Sequence, residues 1–216
     1  IFQKETGWKT LEGKNVSPMK FLTIKEAKDF VAQYESQPHL VYGLTQFPYT
    51  YIAEKYSKQI EFDSSLMRII TIDIEVECEN GFPNADQALE PMLSITIKNH
   101  KTGRIKVWGL HDYHNDREDV QYIKCQTERE LLAQFVAWWE SDHPDIITGW
   151  NTERFDIPYL CNRIKFVMGE DAMKRLSPWG VVNARTITGV YGKKEQVYDI
   201  LGVEDLDYLL LYRKHT

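Results

Sequence analysis

Residues Ile70 to Glu77 read ITIDIEVE, a run with the composition of a buried strand that nevertheless carries acids at Asp73, Glu75 and Glu77. Strand geometry sends successive side chains to opposite faces, so Ile70, Ile72, Ile74 and Val76 share one side while Thr71, Asp73, Glu75 and Glu77 share the other. One side is core material and the other is a ladder of carboxylates. Two ionised carboxylates about 6 to 7 Å apart repel by roughly 2 to 3 kcal/mol at an effective dielectric near 20, and by far less in open water. In a cleft, a cation has to offset that repulsion. Hard divalent cations such as Mg²⁺ or Mn²⁺ take oxygen ligands, and a pair of them can clamp the attacking and leaving oxygens of a phosphoryl displacement. On the octamer alone, an exposed strand with a solvated acidic face explains the pattern equally well.

A third acid decides between these readings. Asp156 lies in ITGWNTERFDIPYL, where a strand gives way to a helix, and a side chain at the end of a neighbouring strand could reach the same cleft. The competing explanation is a helix N-cap just ahead of Pro158. Other reactive residue types lead to plainer readings. His111 and His114 sit in HDYHND, a polar loop with no helix to align them, and are expected to be solvated. Cys78, Cys125 and Cys161 are odd in number and form no CxxC pair, so reduced structural thiols are expected in place of a disulfide framework or zinc site. Phe82, in NGFP, reads as a hydrophobic turn residue, and Trp150 as core support beside Asn151.

The elements that must position the acids follow from periodicity. TIKEAKDFVAQYE is predicted as a helix with Thr23 and Glu26 as a capping box, HLVYGL as a strand, and FPYTYIAEKY as a short helix whose Phe47, Tyr49, Tyr51 and Tyr56 are core. After the acidic strand, MLSITIKN and RIKVWGL alternate about HKTG as an antiparallel hairpin. Thr127 and Glu130 cap ERELLAQFVAWWE, whose Leu131, Leu132, Phe135, Val136 and Trp139 make one apolar stripe. PDIITGWN gives a strand and DIPYLCNRIKFVMG a helix, and TGVYGKKEQVYDI gives a β-hairpin with Gly192, Lys193 and Lys194 at its tip. LDYLLLYRK closes the chain as an amphipathic helix. This order fits an α/β class, a mixed sheet with helices on its faces, of which the ribonuclease H-like architecture is one member.

Bulk properties bound the function. The 216 residues, 43% hydrophobic and 27% charged, suffice for one large or two smaller globular domains. A net charge of −6 argues against a broad basic surface that coats nucleic acid, while leaving room for a local site on a strand end. With no membrane-length apolar run and no leader pattern, a cytoplasmic protein is expected, without a membrane partner. The start at Ile1 and the stop after YRKHT suggest a piece of something longer.

DIEVECENGFP and ITGWNTERFDIPYLCNRI closely resemble the first and second exonuclease motifs of family B DNA polymerases, nearest to the replicative enzymes of T-even-type phages. MKRLSP, YGKKE and LDYLLLYRK extend the likeness over most of the chain, and the stretch before Leu66 adds to it more weakly. The resemblance implies a ribonuclease H-like 3′ to 5′ proofreading exonuclease over residues 66–216, preceded by part of an N-terminal domain over 1–65. It implies that Asp73, Glu75 and Asp156 are catalytic ligands of two divalent metal ions, Mg²⁺ or Mn²⁺. It further implies that Phe82, Asn151 and Phe155 contact the frayed single-stranded 3′ end of primer DNA, and that the hairpin bearing Lys193 and Lys194 helps move that end. The remainder of the polymerase chain would be the other partner.

The family's third exonuclease motif, a tyrosine shortly before an aspartate, does not occur here, nor do its polymerase motifs. The site is therefore expected to be incomplete and this chain weak or inactive alone. Two alternatives stay open at this point: a catalytically silent nucleic-acid or subunit-binding module of the same fold, and an unrelated ribonuclease H-like nuclease acting on RNA or internal bonds.

Overall fold

A computed structural model of the chain describes residues 7–43, 47–56, 58–79, 81–188, 192 and 194–215. The chain divides into two compact units, Ile1–Phe62 and Asp63–Thr216.

In the first unit, strands β1 (Trp8–Lys9) and β2 (Asn15–Val16) pair antiparallel, followed by helices α1 (Ile24–Gln33) and α2 (Phe47–Lys55). The Thr23 hydroxyl accepts the Glu26 N–H at 3.2 Å and the Glu26 carboxylate reaches back to the Leu22 N–H at 3.1 Å, so the predicted cap forms. Of HLVYGL, the described residues 39–43 form no strand, and Leu44 lies outside the described residues; Pro38–Leu40 makes one 3₁₀ turn, because the fixed φ of Pro38 suits the entry of a helical turn. Tyr49, Tyr51 and Tyr56 are exposed, contrary to the expectation of core, and the Phe47 side chain lies outside what is described.

The second unit is built on a mixed sheet. Among the described residues its six strands run in the order β10 (Glu204–Asp207), β7 (Ile146–Gly149), β3 (Ile69–Val76), β4 (Met92–Asn99), β5 (Ile105–Gly109), β6 (Val120–Lys124). β10, β7 and β3 are parallel, β4 runs antiparallel to both β3 and β5, and β6 is parallel to β5. Helix α3 (Glu128–Ser141) and helix α4 (Ile157–Met168) supply the apolar partners of one sheet face, and Ile70, Ile72, Ile74, Ile95, Ile97 and Trp108 are buried in the same core as Leu132, Phe135, Leu160 and Ile164. Nearly complete burial of such side chains contributes about 1.5 to 3 kcal/mol each, which makes this face the main source of cohesion. α3 carries the predicted cap, with the Thr127 hydroxyl accepting the Glu130 N–H and the Glu130 carboxylate accepting the Gln126 N–H at 2.7 Å.

A short helix α5 (Glu170–Lys174) follows α4. Strands β8 (Val182–Thr188) and β9 (Lys194–Ile200) then form the expected antiparallel hairpin, and α6 (Tyr208–His215) ends the described chain. Strands β6 and β10 are additions to the elements that periodicity predicts. β6, VQYIK, mixes apolar and polar residues without strict alternation, and β10 is the acidic EDLD immediately before α6. Among the described residues no helix is long and apolar enough to cross a membrane.

Candidate active site

Strand β3 outruns its neighbour. Its parallel pairing to β7 ends with Thr71 opposite Thr148, while β3 itself continues to Val76. Backbone groups beyond that point need partners from elsewhere. A π turn over Thr152–Asp156 fills the gap, and Asp156 Oδ1 accepts the Ile74 N–H at 3.2 Å. Asp156 therefore makes no side-chain cap of α4, which sets aside the N-cap explanation. The chain can close this tightly because β7 ends in Gly149: a Cβ there would lie 2.6 Å from the Ile72 carbonyl oxygen and 2.6 Å from Thr152 Cγ2.

Asp156 is thereby buried beside the acidic face of β3. Its carboxyl is pushed up to about 7, first by burial and then by the charge of Asp73, although the Ile74 N–H pulls the other way. Asp73 remains open to solvent, and partial burial pushes its own carboxyl upward. Glu75 projects from the same strand face and is exposed. Among the described residues no group of three or more His, Cys, Asp and Glu side chains is gathered as a metal site. The donor chemistry nonetheless suits a hard divalent ion. Asp73 and Asp156 carry carboxylate oxygens close enough that the charge of the first raises the cost of ionising the second, a cost that a bound cation would offset.

The π turn also sets the aromatic surroundings. Phe155 packs against Phe82 with ring centroids 4.9 Å apart and against Tyr159 at 5.7 Å. Phe82 is 81% exposed, so its outer ring face is available to a planar ligand. Asn151, which opens the turn, has left-handed backbone geometry (φ 66°), and its N–H donates to Asp207 Oδ1 at 3.0 Å. Lys194 is exposed at the start of β9, paired with Thr188, and Lys193 lies outside the described residues. Trp150 does not support the core: it is 56% exposed, beyond the end of β7, and its ring lies near Tyr208 and Tyr212.

Two further acids hold the turn in place. Asp207, buried at the end of β10, accepts the Asn151, Glu153 and Leu209 N–H groups. Asp205 accepts the Thr152 hydroxyl at 2.8 Å and is pushed up to about 7, mainly by burial. Neither acid stands out from sequence alone, where the pattern predicts that the final helix begins at LDYLLLY. A signal is present all the same, since Asp205 and Asp207 have the same alternate spacing as Asp73 and Glu75.

Comparison with known proteins gives a consistent picture. The profile of the exonuclease domain of DNA polymerase family B matches residues 10–216. The DNA-directed DNA polymerase of Enterobacteria phage T4 is 34% identical, over 98% of this chain and 26% of its own length. That of Escherichia phage RB69 is 30% identical, over 94% of this chain and 25% of its own length. The DNA polymerase delta catalytic subunit of Candida albicans is 30% identical over 66% of this chain. The chain thus spans about a quarter of the length of the two phage relatives.

Proposed function

Because the chain belongs to DNA polymerase family B, in its exonuclease domain, we propose that it carries the 3′ to 5′ proofreading exonuclease of a DNA-directed DNA polymerase, acting on the single-stranded 3′ end of primer DNA. In this reading residues 66–216 form the exonuclease domain and 1–65 part of an N-terminal domain. The other partner is the remainder of a polymerase chain, and the work is done in the cytoplasm of a phage-infected cell. The observation that carries the reading is the delivery of Asp156 to the Ile74 N–H, beside Asp73 on the strand that also bears Glu75.

Asp73, Glu75 and Asp156 would hold two divalent cations, Mg²⁺ or Mn²⁺. Bound there, the ions would supply an acidified water and charge stabilisation for the departing 3′ oxygen. The chain's own part is to bind and orient. Asp156, whose carboxyl is pushed up to about 7, would hold a cation in its ionised form, and the Ile74 N–H fixes one of its oxygens. Phe82 and Phe155 offer stacked rings on which unpaired terminal bases rest without regard to sequence. Selectivity for mismatches then comes from fraying, since a mispaired terminus costs less to unstack. Asn151 and the Lys193–Lys194 tip are assigned to the groove that guides the strand.

A catalytically silent binding module is the second reading, favoured by the absence of a three-carboxylate cluster among the described residues. The same observation supports weak trimming by these 216 residues alone. An end-labelled oligonucleotide with a mismatched 3′ end, incubated with Mg²⁺ or Mn²⁺ and the complete protein, tests both. Stepwise loss from the 3′ end, reduced at least about 100-fold by Asp156→Ala, is expected. Binding without trimming supports the silent module, and cleavage of RNA or of internal bonds would point to a different nuclease.

A further inference from the structure

The segment between β3 and β4 carries Phe82, and its described residues have almost no regular structure of their own. Besides the Gln196 N–H of β9, which Asp86 Oδ1 accepts at 3.2 Å, four hydrogen bonds from α4 anchor it. Tyr159 Oη donates to the Glu90 carbonyl at 2.7 Å and Asn162 Nδ2 to the Ala85 carbonyl at 2.8 Å. Arg163 Nη1 donates to the carbonyls of Ala88 and Leu89 at 3.0 and 2.8 Å. Ala88 has φ 44°, a left-handed geometry that a residue with a Cβ rarely adopts unless its surroundings impose it.

Arg163 is itself fixed. Buried within α4, it places Nε and Nη2 on the two carboxylate oxygens of Glu128 at 2.6 and 2.7 Å, and Glu128 Oε1 also accepts the N–H of Met92, the first residue of β4. A guanidinium can do this because its planar fork serves a carboxylate and two carbonyls at once, which an ammonium cannot. The same helix begins just after Phe155 and Asp156, so one rigid element carries the acid, the inner ring of the aromatic pair and the clamp on the outer ring's segment.

We infer that Arg163 is a positioning residue for DNA-end binding: through the Ala88 and Leu89 carbonyls it holds the segment that presents Phe82 over Phe155. The inference rests on the proposed proofreading function and adds a residue that touches neither DNA nor metal.

Two measurements on the complete protein test it. Amide hydrogen exchange comes first: Arg163→Lys should speed exchange across residues 81–91 by at least about tenfold while β3 and β4 stay protected. Trimming kinetics on a single-stranded 3′ end come second. Arg163→Lys should raise KM about tenfold, the worth of one stacked base, with kcat changed less than about twofold. In a Phe82→Ala background the same substitution should have no further effect on KM. Tyr159→Phe, which removes only one hydroxyl from the clamp, should show the same pattern more mildly and serves if Arg163→Lys fails to fold. Unchanged exchange across 81–91 overturns the inference, as do KM losses that multiply with those of Phe82→Ala. Absence of trimming by the unaltered protein defeats the functional reading instead, and the exchange measurement still decides whether Arg163 holds the segment.

Discussion

Asp156 explains more of this site than any other residue. A carboxyl buried at the N-cap position of a helix would ordinarily be assigned to capping, but here the π turn aims the Asp156 side chain away from the helix end and onto the Ile74 N–H. Burial and Asp73 together leave it titrating at about 7, well above the usual carboxylate range. A group whose folded pKa exceeds its unfolded value binds more protons when folded, so stability falls as pH rises from about 4 through 7 and is level above that. In chelated buffer, thermal unfolding should therefore show higher stability at pH 5 than at pH 8. Asp156→Asn should remove much of the difference, on the order of a few kcal/mol. Asp205, which also titrates at about 7, should leave a residual slope. Asp73 and Glu75 can be read in the sequence because strand alternation is a local property. The geometry of Asp156 cannot, since it depends on where β7 stops beside β3.

At the level of elements, the π turn and the strand ends around it form one joint. Gly149→Ala would drive a Cβ into the Ile72 carbonyl and Thr152, both of them fixed parts of that joint. A destabilisation of about 1 to 3 kcal/mol is expected, together with loss of trimming, because the displaced turn carries Asp156 with it. Differential scanning calorimetry and an end-trimming assay read the two effects. Asp207→Ala strands three backbone N–H groups and should cost about as much, whereas Asp207→Asn keeps one acceptor oxygen and should cost less. The capped helices α1 and α3 are legible because Thr-x-x-Glu is a local motif followed by an apolar stripe. β6 is not, because its five residues, VQYIK, break the strict apolar and polar alternation, and β10 is not, because three acidic residues and a leucine run straight into a helix.

For the whole molecule, the mixed α/β class is legible from the succession of elements, and the ribonuclease H-like reading agrees with the mixed sheet and its flanking helices. The strand order is not legible. β10 pairs with β7 from more than fifty positions away, as the bond between the Thr148 hydroxyl and the Leu206 carbonyl records, and no local pattern encodes a partner at that distance. That pairing places Asp205 and Asp207 under the π turn and completes the scaffold of the site. The proposed chemistry depends throughout on Asp73, Glu75 and Asp156 acting as a receptor for divalent cations. Calorimetric titration of the chain with Mn²⁺ at pH 6, in two buffers of different ionisation enthalpy, tests this most directly. The expected result is binding that releases close to one proton, with both the binding and the release lost in Asp156→Asn and the binding lost in Asp73→Asn. Mn²⁺ binding that is unaltered by either substitution would contradict it.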